Sequence, residues 1–206
     1  MVITTKFFKD LAQNVALAVM LMFVLISHIS EASAETRGLG EIDLQMSSER
    51  VESAGSASVE RHLRLGVYGG LESTLQTGSR ISFGGFLKTD RGQQPLGALN
   101  SYGLGLFVGW ANKSLGLRLA YTLFGEQKSM NAAVETSWRE ASGYELMVRW
   151  LTWRQELDDS REFALGPSLA YEKLTFKKAQ VGSLPETNQE LARESLVPGI
   201  SFVFVY

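Results

Sequence analysis

The sequence predicts an all-β fold, a single antiparallel sheet of eight strands closed into an up-and-down transmembrane β-barrel, and three observations predict it. Runs in which apolar side chains fall at every second residue recur along most of the chain, and period two is the signature of a strand with one face unlike the other. The connections between these runs alternate short and long. The face opposite the apolar one carries glycine, alanine and a few charges, where a water-facing surface would be dense in Lys and Glu.

Taken in order, the chain opens with Lys6 and Lys9 ahead of an almost uncharged run from Leu11 to Ile29, followed by Ala32-Ser33-Ala34. A basic start, an apolar centre and small residues at a cleavage site are the parts of an export signal, so residues 1–34 read as a signal peptide and 35–206 as one barrel domain. A transmembrane anchor is the alternative, but Asn14, Ser27 and His28 leave Val15 to Ile26 as the apolar centre. A spanning helix needs about 20 apolar residues. The chain has no cysteine, so disulfides do not stabilise it, and its formal net charge of −2 offers no basic field for nucleic acid.

Strands are expected at about 61–72, 79–88, 101–111, 114–124, 140–153, 161–176 and 194–206. Residues 38–47 supply an eighth, with Ile42, Leu44 and Met46 alternating against Glu41, Asp43 and Gln45. Short turns at 73–78, 112–114 and 154–160 alternate with polar loops at 48–60, 89–100, 125–139 and 177–193. In transmembrane barrels the short turns face the periplasm and the long loops face outward. Tyr102, Leu104, Leu106, Val108 and Trp110 then share an outward row, as do Leu115, Leu117, Leu119, Tyr121 and Leu123. Tyr144, Leu146, Val148 and Trp150 form the next row, and Phe163, Leu165, Pro167, Leu169 and Tyr171 the one after. Pro167 implies a local irregularity, because proline removes a ladder donor.

Aromatic positions fit two girdles, with Tyr102, Tyr121, Tyr144 and Tyr171 toward the outer ends and Trp110, Trp150, Phe163 and Tyr206 toward the inner ends. Tyr102 and Trp110 lie about 20 Å apart vertically, at roughly 3.3 Å per residue and a tilt near 40°, which suits an apolar band about 25 Å tall. The rival is a soluble lipocalin-like barrel with its apolar faces inward, which would leave Gly103, Gly105, Gly109, Gly116, Ala120, Gly166 and Ala170 facing water.

The last residues, Ile200, Phe202, Phe204 and Tyr206, lie on one face of a strand and end on an aromatic. This terminus resembles the assembly signal of bacterial outer-membrane β-barrel proteins. With the eight-strand pattern, the chain resembles the small outer-membrane barrels of the OmpA-transmembrane, OmpX and OmpW type. The resemblance implies a bacterial outer-membrane location, a lipid bilayer and lipopolysaccharide as surroundings, and the barrel assembly machinery and periplasmic chaperones as partners in biogenesis. It implies no cofactor and no metal.

Inward charges of both signs, Arg64, Arg80, Arg118 and Arg149 against Glu72, Glu145, Glu162 and Glu172, suit either a polar conduit or an ion-paired plug. Tyr68, Phe86, Phe107 and Met147 share the inward parity, and an eight-stranded interior is just wide enough for side chains to fill it, which favours the plug. Arg118 and Arg149 are its expected centre, with Glu145 or a carboxylate from across the barrel approaching them. Lys88, Arg91, Lys177 and Lys178 are expected at the outer rim, where they could meet lipopolysaccharide phosphates.

The leading expectation is therefore a non-enzymatic barrel with a structural or surface-interaction role through its outer loops. A narrow channel or carrier for small or apolar solutes comes second, and a lipid A-modifying enzyme third. For the third, His62 is followed two residues on by Arg64 rather than by Ser or Thr, and Ser58 with Asp90 carries no motif.

Overall fold

The computed structural model describes residues 36–206 apart from 54–55, 76, 95–96, 113, 132–133 and 159–160, and describes the backbone alone for the strand residues among 47–62, for 93–94 and 97–99, and for 131. The export-signal reading of 1–34 lies outside the described residues. Ten strand segments form one sheet: β1 Thr36–Ser53, β2 Ser56–Thr74, β3 Ser79–Gln94, β4 Gly97–Asn112, β5 Leu115–Asn131, β6 Val134–Arg139, β7 Ser142–Trp150, β8 Trp153–Glu156, β9 Glu162–Val181 and β10 Thr187–Val205. Every pairing is antiparallel, and the order closes on itself as β1-β2-β3-β4-β5-β7-β9-β10, a ring of eight. Segments β6 and β8 continue β7 upward and downward, β6 pairing with both of its neighbours, β5 and β9, and β8 with β9. Closure matters because it leaves these strands no open edge where they pair on both sides.

The short connections are built by local chemistry. In the first, the N–H of Leu75 donates to Ser79 O at 2.7 Å and that of Gly78 to Leu75 O at 2.9 Å; Gly78 has φ 77°, a conformation glycine adopts without steric cost. In the third, the Asp158 carboxylate accepts from the Arg161 N–H at 2.8 Å and from its guanidinium at 2.6 Å.

Three features depart from the sequence expectation. The stretches expected as polar loops, 89–100, 125–139, 177–193 and 48–60, are mostly continuing strand among the described residues. A backbone ladder does not end where side-chain alternation ends, because polar residues on both faces pair as well as apolar ones when both sides are wet. Second, the expected strand 140–153 is interrupted twice, at Glu140–Ala141 and at Leu151–Thr152. The lower break faces Pro167: Arg149 pairs Ser168 and Trp153 pairs Leu165, so three residues oppose two. Third, Leu123 does not belong to the outward row. Leu104 pairs Phe124 but Gly105 pairs Thr122, which makes Leu123 an extra residue, and beyond it the parity of β5 flips. Phe124 takes the outward direction, 6.2 Å from Tyr102, while Gly125 and Gln127 turn inward and are buried.

Side chains sort cleanly by face. Leu117, Leu119, Leu146, Val148, Leu169, Leu104 and Leu87 are exposed on the outside. Inside, Leu39, Tyr68, Phe86, Phe107, Ala120, Leu151, Ala164, Val203 and Val205 form one apolar cluster, and Met147, Ala170 and Val197 a second. Tyr68 sits 5.3 Å from Phe86 and 5.6 Å from Phe107, ring to ring, and is 1% exposed. The core of this molecule is therefore the interior of the ring, and the largest apolar surface is its exterior.

Candidate functional site

Alternation aims every second side chain of eight strands into one narrow space, so charges far apart in sequence must meet there. At the centre, the Arg118 guanidinium donates to Glu41 at 2.7 Å, Asp43 at 2.5 Å and Glu145 at 3.1 Å. Its flat face lies 3.5 Å from the centroid of the Tyr68 ring, a cation–π contact, while the Tyr68 hydroxyl donates to Glu145 at 3.3 Å. Arg149, on the adjacent β7, pairs with the other oxygen of Glu41. All of these residues are buried.

Toward the outer end lies a second group. Arg64 makes a forked contact with Asp90, at 2.6 and 3.1 Å, and a second ion pair with Glu172 at 2.6 Å. Lys88 pairs with Glu172 at 3.0 Å and with Glu145, which links this group to the central one, and Ser101 donates to Asp90 at 3.0 Å. A small cavity of about 20 Å³ borders Arg64, Lys88, Asp90, Thr122, Glu172 and Phe176, room for roughly one water molecule. At the inner end Arg80 bridges Glu72 at 3.2 Å and Glu162 at 2.8 Å, with Arg154 on Glu162 at 3.3 Å. Arg80 and Arg154 are partly exposed there, unlike the charges above them.

Each of the eight charges singled out in the sequence sits in this system, in three groups rather than one. The structure adds Glu41, Asp43, Lys88, Asp90 and Arg154. Lys88 overturns an expectation: it does not stand at the outer rim but is buried on two carboxylates. Its even position, shared with Arg80 and Phe86 on the same strand, is the signal that marks it as inward. Asp90 is held by Arg64 and Ser101, an arrangement that fixes a carboxylate rather than freeing it. The side chains of His62 and Ser58 lie outside the described residues. At the rim, Lys178 pairs with Glu140, and Arg139 with Glu126 at 3.3 Å. Lys177 and Arg91 are exposed.

On the outside, Tyr102, Tyr121, Tyr144, Tyr171, Trp110, Trp150 and Tyr206 are all exposed; Tyr144 and Tyr171 lie 6.2 Å apart, and the Tyr102 hydroxyl donates to Glu126 at 2.7 Å. Phe163 lies between Phe204 at 4.7 Å and Trp153 at 5.3 Å. Ile200, Phe202, Phe204 and Tyr206 point outward from β10, and Tyr206 closes the ring by exchanging backbone hydrogen bonds with Gly38 at 2.6 and 2.9 Å.

No family model matches the chain, and no curated protein matches it in sequence. Among solved structures it is similar to the translocator domain of the autotransporter NalP from Neisseria meningitidis, with 8% identity over 96% of this chain and 98% of that one, at a TM-score of 0.21. A likeness at that score carries no argument about fold or function.

Proposed function

We propose that this protein is an integral outer-membrane β-barrel whose lumen is shut by its ion-paired interior, and which acts without catalysis, as a structural element or by presenting its outer hairpins to partners. The observation that carries this reading is the inversion of faces: leucines and aromatics outside on the strands, and, among the described residues, eight buried pairs of opposite charge inside. Water rewards the opposite arrangement, whereas lipid rewards this one. Tyr102, Tyr121, Tyr144 and Tyr171 would form the outer girdle, and Trp110, Trp150, Phe163 and Tyr206 the inner one. Lipopolysaccharide would surround the rim, with Lys177 and Arg91 as candidate contacts to its phosphates.

The plug has a direct test. Reconstituted into planar bilayers, the wild-type protein is expected to show no steady conductance at the nanosiemens scale; such a conductance would favour the channel reading instead.

Assembly gives a second expectation. Tyr206 supplies the last rung of the closing seam and the end of the outward aromatic row, so its deletion should impair assembly far beyond the roughly 1.5 to 3 kcal/mol that burial of a large side chain provides. Heat-modifiable migration on gels reads the folded fraction, and a normal fraction in the truncated protein would argue against Tyr206 as a recognition element.

A further inference from the structure

The outer end of the lumen is built differently from its ion-paired middle. The small cavity beside Arg64 and Asp90 has short side chains along its other wall, Gly103 on β4, Thr122 and Gly125 on β5, and Ala141 ahead of β7. Two irregularities of the wall aim these inward. The extra residue at Leu123 ends one inward run of β5 at Thr122 and starts the next at Gly125, and Glu140, at φ 58°, interrupts the wall before Ala141. A Cβ on Gly125 would stand 2.9 Å from that of Ala141. The floor is the ion-pair network, in which Lys88 joins Glu172 to Glu145 and Glu145 joins Arg118.

One side chain crosses the outer side of this space. Arg193 leaves β10 opposite Leu174, which borders the cavity, and its guanidinium donates to the side-chain carbonyl oxygen of Gln127, the next inward residue of β5 above Gly125. Strands β10 and β5 stand three places apart in the ring of eight, so the contact spans the lumen instead of joining neighbours. Both residues are buried, and Arg193 also lies within electrostatic reach of Asp90.

The two ends of this strap are not held alike. Gln127 sits on a strand laddered on both sides, to β4 and β6. Strands β1 and β10 pair only from Leu39↔Val205 to Gln45↔Gly199, so beyond Gly199 the β10 arm is laddered to β9 alone, and that ladder shifts register between Asn188 and Leu191. The fork falls at Pro198. Gly38 and Tyr206 exchange both backbone hydrogen bonds, so even residues of β10 face β1, and Pro198 is the one among them with no N–H to give. The strap also ends on a neutral amide, so releasing it from Gln127 strands no buried carboxylate, as breaking the pairs below would.

We propose that Arg193 is a latch on a blind chamber. Engaged with Gln127, it closes the outer end of the lumen; released by movement of β10 beyond Gly199, it admits water and small ions as far as the Lys88–Glu145 pair and no further. This rests on the plugged-barrel reading given above for the chamber's floor, and the plug stays shut in both states.

Silver ion tests the latch, because a bare ion no larger than a water molecule suits such a chamber and binds thiolate, and the chain has no cysteine of its own. Thr122→Cys places a thiol on the cavity wall, Ala120→Cys one opposite Glu145 beside the central pairs, and Lys177→Cys one on the exposed rim. Protein folded in lipid vesicles is exposed to silver nitrate in chloride-free buffer, and the remaining thiols are counted by alkylation after unfolding. Lys177→Cys should react fastest and Thr122→Cys at least tenfold more slowly. Adding Arg193→Met or Gln127→Leu should speed Thr122→Cys at least tenfold and leave Ala120→Cys slow; Gln127→Leu removes no charge and so covers poor folding of Arg193→Met. Equal Thr122→Cys rates with and without these substitutions would overturn the latch, and so would acceleration at Ala120→Cys, which means a loosened barrel. Arg193→Met should remain non-conducting in planar bilayers. A conductance there that wild type lacks would overturn the blind chamber alone, whereas conductance already present in wild type would overturn the plug and the chamber's floor with it.

Discussion

Arg118→Met should destabilise the folded protein by about 3 to 5 kcal/mol, the usual cost of removing one partner from a buried ion cluster. The three carboxylates on Arg118 are not equally dependent on it. Glu41 keeps Arg149 and Glu145 keeps Lys88, but the only ion pair of Asp43 among the described residues is with Arg118. The penalty therefore falls mainly on Asp43, and Asp43→Asn introduced beside Arg118→Met should recover a large part of it. Arg80→Met makes the comparison, because Arg80 is about a quarter exposed at the inner mouth, where water can partly solvate the carboxylates it leaves, so its loss should be smaller. Denaturant titration of folding into lipid vesicles reads all three variants. An Arg118→Met loss no larger than that of Arg80→Met would mean that the interior is wet and the cluster screened.

The second large effect separates the two faces of β5. Leu117 is exposed on the exterior, in mid-strand, and Arg in its place should cost about 2 to 4 kcal/mol in a bilayer, the penalty for a cation on the lipid face near the midplane. Gly116→Arg should be at least as damaging for a different reason. A Cβ at Gly116 would stand 2.6 Å from Nε and 2.9 Å from Cγ of Arg149, so a longer side chain must displace a guanidinium already committed to Glu41. Detergent or lipid thickness should change the Leu117→Arg penalty and leave that of Gly116→Arg nearly constant. In a water-soluble barrel with its apolar faces inward, Gly116→Arg would be nearly neutral, and that outcome would reverse the assignment of faces.

Much of the wall is written locally. Alternation within β4, β5, β7 and β9 assigns most side chains to a face without reference to any other strand, because the two-residue period belongs to the extended backbone itself. Turn chemistry at Gly78 and Asp158 is equally local. The inward parity of Arg64, Arg80, Arg118 and Arg149 could be counted directly, and so could that of Lys88, whose position near the outer end of its strand concealed a side chain that reaches inward.

What the tertiary structure alone decided depends on which strands become neighbours and on how many residues each contributes. Arg118 meets Glu41 and Asp43 across 77 and 75 residues of chain, on a first strand whose alternation is the faintest of the eight, and nothing local ranks those partners above others of the same parity. The single extra residue at Leu123 leaves no mark in the hydrophobic pattern, since Leu123 and Phe124 are both apolar; only the register against β4 shows which of them is the bulge. The two prolines make the same point. Each lacks one donor, but whether that gap faces a bulge, as at Pro167, or the closing seam, as at Pro198, follows from the side toward which the N–H would have pointed. That is a property of the assembled ladder and of no residue taken singly.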